Sequence, residues 1–179
     1  MADMRKKNIL AISGSTRVNS SNLLLIKAIA ALSSKDADIE MYNKTGELPH
    51  FNPDLDSGIV PQAVEEFRNK IQEADGVLIC TPEYVFSLPG SLKNAIEWTV
   101  STIVFSDKPV ALITASGLGE KAHESLQLIM KTVGAEFNEQ TQLLIQGARS
   151  KVSEKGITDE ATLIKVKELI EAFVRLLKG

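Results

Sequence analysis

The chain has 179 residues, 44% of them hydrophobic and 24% charged, which is enough for one α/β domain with a full core across 1–179. A net charge of -3 gives no electrostatic case for nucleic acid, and a lone Cys80 excludes an internal disulfide framework and a multi-cysteine metal site. The basic start from Met1 to Lys7 precedes an apolar run too short for a signal peptide, and no run approaches the ~20 apolar residues of a membrane span, so a cytoplasmic protein without a membrane partner is expected.

Along the chain, apolar runs of strand length alternate with stretches of helical period. A first strand is predicted over 8–13 and a helix over 21–32. A second strand follows over 38–42, then a long irregular loop over 43–60, rich in Pro, Asn, Asp and Gly. A helix over 61–74 has Pro61 in its first turn. The third strand, 76–81, is a continuous apolar run, and a helix over 90–102 comes after it. A fourth strand is expected over 109–115, a helix over 121–133 and a fifth strand over 135–144. Residues 151–155 read as a solvated charged loop. The last helix spans 159–177, with Thr158 as its N-cap and Leu163, Val166, Ile170, Phe173, Val174 and Leu177 on its apolar face.

This βα rhythm implies a parallel sheet with helices on both faces. Five strands of this kind suggest the doubly wound order 2-1-3-4-5, which binds ligands beyond the carboxyl ends of its strands, where the strand order reverses. The site should therefore be built from the loops at 14–22, 81–90 and 116–120.

The first of these runs Gly14-Ser15-Thr16-Arg17-Val18-Asn19-Ser20-Ser21-Asn22. It joins a strand to a helix N-terminus, where free N–H groups and the helix dipole favour an anion. Its hydroxyls add donors, and a guanidinium can fork onto two phosphate oxygens. Ser and Asn are also ordinary helix caps in loops that bind nothing. The second loop, from Thr81 to Gly90, sets an aromatic ring, a carboxylate and a hydroxyl between two stiffening prolines. A flat heteroaromatic ligand needs such fixed amides and an apolar wall. A rigid turn packed on its neighbours, or on another subunit, would read the same way. The third loop, Ser116-Gly117-Leu118-Gly119, lets backbone come close to a ligand, or simply turns the chain.

Two of these patterns carry a resemblance. Gly-Ser-x-Arg-x-x-Ser-x-Asn at 14–22 and Thr-Pro-Glu-Tyr-x-x-Ser-x-Pro-Gly-x-Leu-Lys-Asn-Ala-Ile-Glu-Trp at 81–98 resemble the NADPH-dependent FMN reductases, a family that includes soluble quinone, chromate and azo reductases. The segment from Pro49 to Leu55 is also similar. The likeness runs from Asn8 to about Gly147. It implies a flavodoxin-like fold. It implies an FMN phosphate on Ser15, Thr16, Arg17, Ser20, Ser21 and Asn22, with Thr16 acting through its backbone. It implies an isoalloxazine ring against Pro82, Glu83, Tyr84 and Ser87, with Ser116 and Gly117 at its other side. It also implies NADPH or NADH as a visiting substrate, a small-molecule electron acceptor, and a homodimer or homotetramer. No Gly-x-Gly-x-x-Gly fingerprint follows the first strand, so no resident dinucleotide site is expected.

Flavin would supply the redox chemistry, so no acid–base or nucleophilic residue is assigned. Tyr84 is either a wall or a donor toward the acceptor. His50 and His123 lack metal spacing, and Cys80 reads as a buried small hydrophobe. Lys93 and Glu97 form a helix-face pair or meet another subunit. Trp98, Val100, Ile103, Val104 and Phe105 form an apolar cluster that is core or interface. The competing functional class is a flavin-binding electron carrier or redox sensor. Arg17, the modest net charge and only 5% aromatic residues argue for the enzyme instead.

Overall fold

The computed structural model describes residues 5–179, so the first four residues of the basic start lie outside it. Strands β1 (Lys7–Ser13), β2 (Ala37–Tyr42), β3 (Gly76–Thr81), β4 (Val110–Ser116) and β5 (Gln142–Gln146) form one parallel sheet in the order β2-β1-β3-β4-β5. Its pleat sends alternate side chains to opposite cores. Leu10, Ile12, Val77, Ile79, Val110 and Leu112 pack beneath α3 (Gln62–Glu73), α4 (Gly90–Glu97) and α5 (Glu120–Thr132). Ile9, Ala11, Leu78, Cys80, Ala111 and Ile113 pack beneath α1 (Ser21–Ser33) and α6 (Glu160–Leu176). Both faces are covered, which is why β1, β3 and β4 read as unbroken apolar runs.

Register brings the site's loops level. Ser13 lies opposite Cys80, Thr81 opposite Thr114, and Ser116 opposite Gln146. The Gly14 N–H donates to Cys80 O at 2.9 Å and extends that ladder by one residue. A Cβ on Gly14 would sit 2.3 Å from Thr81 Oγ1, so only glycine lets the two strand ends approach this closely.

Several elements differ from the expected ones. The fifth strand starts at Gln142, not near 135. Asn138 caps a 3-10 turn over Glu139–Thr141, and its Oδ1 accepts from the N–H of Gln140 and of Thr141. Ala135 and Phe137 still pack on the core, but from irregular chain. The helix begun at Gly90 ends at Glu97, not near 102. Thr99 Oγ1 donates to Ile96 O and Thr102 Oγ1 to Thr99 O, both at 2.7 Å, and these bonds tighten the chain into successive turns.

Pro61 is the N-cap of α3 and Asp159, rather than Thr158, that of α6; the buried face of α6 also includes Leu169 and Ala172. Where a solvated loop was expected near 151–155, β6 (Val152–Ser153) and β7 (Gly156–Ile157) form a hairpin whose Val152 is buried against α1 and α6. The irregular loop contains a 3-10 turn, Thr45–Glu47, and a short helix α2 (Pro53–Asp56). Its Pro49 carbonyl accepts from Asn94 Nδ2 (3.0 Å) and Trp98 Nε1 (2.7 Å), while Phe51 stacks edge-on to Trp98. Of the apolar cluster after α4, Trp98 and Phe105 are core, and Val100 and Ile103 are exposed.

Candidate active site

The loop after β1 is buried at its two ends, at Ser15, Ser20 and Asn22, and exposed from Thr16 to Asn19. Ser13 Oγ donates to Ser15 O (3.0 Å) and accepts from Ser15 N–H (3.2 Å), and Ser15 Oγ accepts from Arg17 N–H (3.4 Å). Ser20 caps α1 by accepting from Asn22 N–H at 3.2 Å. Asn22 reaches across the sheet end. Its Nδ2 donates to Ala115 O at 3.1 Å, and its Oδ1 accepts from Cys80 Sγ at 3.1 Å. Burial pushes the Cys80 thiol far above its ordinary pKa, so it stays protonated and able to donate.

The first turn of α1 carries no acidic residue, so nothing there offsets the positive end of the helix dipole. Arg17 projects outward with no carboxylate partner among the described residues.

The loops after β3 and β4 are tied together through Glu83. Its N–H donates to Ser116 Oγ at 3.2 Å, and its carboxylate accepts from Gly119 N–H (3.3 Å) and Ala122 N–H (3.0 Å) at the start of α5. An acidic side chain on a helix N-terminus is a stabilising pairing. Gly119 has φ of 103°, and a Cβ there would meet Leu144 Cδ1 at 2.9 Å, so this turn needs glycine.

Beyond Glu83 the chain forms a tight reversal, with Tyr84 N–H donating to Ser87 O and Ser87 N–H to Tyr84 O, each at 3.0 Å. Its central residues, Val85 and Phe86, have φ of 52° and 55° and are 95% and 72% exposed. A β-branched residue in this region is strained, a feature that clusters at ligand sites.

The three loops converge on one cavity of about 460 Å³, the size of a small-molecule site. Ser15, Arg17, Ser20, Ser21 and Asn22 line it, with Pro82, Glu83 and Tyr84, and with Ser116 and Gly117. Two predicted residues do not line it. Thr16 turns toward Gly46, and Ser87 closes the strained reversal. The sequence reading missed the fourth wall, Gly147 to Ser150, which follows β5. Gly147, at φ of 62°, donates its N–H to Gly117 O at 3.1 Å. The available signal was the glycine after the Leu143-Leu144-Ile145 run, hidden because the fifth strand was expected to stop at 144.

Elsewhere, His123 Nδ1 is hydrogen-bonded to Thr114 Oγ1 at 2.9 Å, and burial lowers its pKa. His50 is exposed. Among the described residues, no group of three or more His, Cys, Asp or Glu is placed to hold a metal, and no helix is long and apolar enough to cross a membrane. Lys93 and Glu97 pair on α4 at 2.6 Å.

The donor set suits an anionic group at the α1 end and a flat ring at the other. The α1 end offers an unpaired guanidinium and an uncompensated helix N-terminus. The other end offers stiff backbone at Pro82 and bare backbone at Gly117, where a Cβ would meet nothing within 4 Å.

Residues 7–150 match the family model described as NADPH-dependent FMN reductase. The chain is 33% identical over 184 residues to an NADPH:quinone oxidoreductase of Arabidopsis thaliana, covering 96% of this chain and 93% of that one. It is 32% identical over 174 residues to the NADH:(hydroxy)cinnamate reductase subunit CrdA of Vibrio ruber, covering 93% and 85%. Among solved structures, the flavoenzyme NAD(P)H:(acceptor) oxidoreductase FerB of Paracoccus denitrificans superposes with a TM-score of 0.79 at 28% identity, covering 96% of this chain and 97% of that one. An archaeal flavodoxin reaches a TM-score of 0.65 at 12% identity, covering 96% and 99%, a likeness of fold alone.

Proposed function

Because the chain belongs to the NADPH-dependent FMN reductase family and is an FMN-dependent NAD(P)H oxidoreductase, we propose that residues 1–179 work as one unit whose cavity holds FMN and serves quinone-like acceptors. The observation that carries this reading is the convergence of three loops from neighbouring strand ends on one cavity with an unpaired arginine at the start of α1.

The FMN phosphate would be held by Ser15, Arg17, Ser20, Ser21 and Asn22. The ring would rest between Pro82, Glu83 and Tyr84 on one side and Ser116 and Gly117 on the other. Bound there, FMN would supply the two-electron chemistry between NADPH or NADH and the acceptor. The chain's part is to bind, orient and shape. Pro82 stiffens the loop that presents amides to the ring edge, and Glu83 holds that loop against α5. Preorganised N–H donors favour negative charge that develops on a ligand beside them. No side chain is needed as nucleophile. Tyr84, with the exposed Phe86, walls the open side, where nucleotide and acceptor bind in turn, and this arrangement calls for ping-pong kinetics.

The plant relative's quinone sets the acceptor class; azo compounds, chromate and free flavin fit the same open side. The exposed Val85, Phe86, Leu118, Val100 and Ile103 suit a homodimer or homotetramer in a cytoplasmic setting.

The test is a visible spectrum of the protein with FMN, followed by anaerobic NADPH. Flavin bands that shift on binding and then bleach rapidly are expected. Bound flavin that NADPH leaves unbleached would favour the carrier or sensor class, and no bound flavin would overturn the site.

A further inference from the structure

Two arginines line the cavity. Arg17 comes from the loop after β1, and Arg149 from the turn after β5. We propose that Arg149 is a second phosphate-holding arginine, which together with Arg17 positions the FMN phosphate. This rests on the reading that the cavity holds FMN.

The turn that carries Arg149 is anchored on every side. Gln146 pairs with Ser116 in the sheet, and the Gly147 N–H donates to Gly117 O at 3.1 Å. Ala148 is buried in the core beneath α1 and α6. Ser150 Oγ donates to Gly147 O at 2.9 Å, and the Lys151 N–H to Ala148 O at 3.2 Å. The chain then enters the β6–β7 hairpin, which packs on α1 itself. The Arg149 backbone is therefore fixed to the loop at Gly117 on one side and to the hairpin packed on α1 on the other.

Its side chain has no such ties. It is exposed, lines the cavity, and has no carboxylate partner among the described residues. The carboxylate in the cavity wall, Glu83, is engaged by Gly119 and Ala122 and cannot neutralise it. A planar guanidinium left unpaired beside a helix N-terminus is complementary to a phosphate dianion, and two of them can share its three peripheral oxygens. The same chemistry could serve a phosphate of the visiting nicotinamide nucleotide, and the binding measurements below separate the two.

The test compares FMN with riboflavin, which lacks the phosphate. Flavin fluorescence titrations on the full chain freed of flavin would use wild type, Arg149→Ala and Arg149→Lys. Arg149→Ala should raise the FMN dissociation constant about tenfold, the scale of one charge-assisted contact, and leave riboflavin binding unchanged. Arg149→Lys should recover part of the loss. An unchanged melting temperature is expected, since the side chain bonds to nothing in the protein.

Equal shifts for both flavins, or no shift for FMN, would overturn the proposal. An unchanged FMN affinity with a raised KM for NADPH would overturn it in favour of a dinucleotide contact. A wild type that binds riboflavin and FMN equally would overturn the phosphate site as a whole, and one that binds neither would overturn the cavity reading itself.

Discussion

The loops after β1 and after β3 reach the same cavity with opposite characters. The first is polar and inward-looking. Ser15, Ser20 and Asn22 are buried, and each already has a hydrogen-bond partner inside the protein. The second ends in Val85 and Phe86, apolar, exposed and held at positive φ. Of the side chains that look like ligand contacts in the first loop, Asn22 ties it to β3 and β4, while Ser15 and Ser20 accept from N–H groups of the loop itself. What they leave for a ligand is backbone, Ser21 and the free Arg17. The second loop leaves its side chains free and keeps its backbone fixed through Glu83 and its own reversal. One loop is thus a rigid cradle built from satisfied polar groups, and the other a strained apolar rim. Their difference shows that exposure, not polarity, marks the groups available for binding.

The largest effect should come from Asn22→Leu. It leaves Ala115 O without its donor and Cys80 without its acceptor, in a buried site. A loss of about 2–3 kcal/mol is expected in urea unfolding. A near-neutral result would mean that the cradle is not held by this residue.

Arg17→Ala should do the reverse, weakening FMN binding by about tenfold or more with the unfolding midpoint unmoved. If stability falls as well, the division between locking and binding groups within the first loop fails.

Glu83→Gln keeps the shape of the link between the second and third loops but removes its charge from the α5 N-terminus. About 1 kcal/mol should be lost, read as a lowered melting temperature. Val85→Gly should relieve backbone strain at the rim and leave stability equal or raised by about 0.5–1 kcal/mol. A clear loss there would show that Val85 packs rather than strains.

The smallest effect concerns acid. Burial places the folded-state pKa of His123 below its ordinary 6.5. Below pH 6.5 the unfolded chain therefore binds the extra proton first, so stability is full above that pH and falls as pH drops through the folded-state value. His123→Gln should flatten that slope in pH-dependent melting, and an unchanged slope would assign it to other groups.

The alternation of apolar runs and helical stretches places the first four strands, because burial on both faces is written into continuous apolar sequence, and the repeated βα rhythm suggests their doubly wound order. The cradle motif at 14–22 and the rigid loop at 81–90 are legible for a similar reason, since residues that serve one loop lie together in sequence. The start of the fifth strand was not legible. Ala135 and Phe137 are as apolar as a strand, but the chain makes a single bridge there, Glu136 to Pro109, and then turns at the Asn138 cap before β5 begins. The cluster from Trp98 to Phe105 was equally opaque, since composition alone cannot divide core from surface within eight residues.

By itself, then, the sequence determined the sheet, the three loops and the chemistry suited to them, all of which depend on local periodicity and local motif. Only the tertiary structure decided which polar atoms remain free. Asn22 and Ala115 are 93 residues apart, and Glu83 and Ala122 are 39 apart. The wall that holds Arg149 likewise exists only because β5 pairs with β4 and sets Gly147 against Gly117. A hydrogen bond satisfied across such a separation leaves no mark on the neighbouring residues, because it depends on where the folded backbone brings its partner.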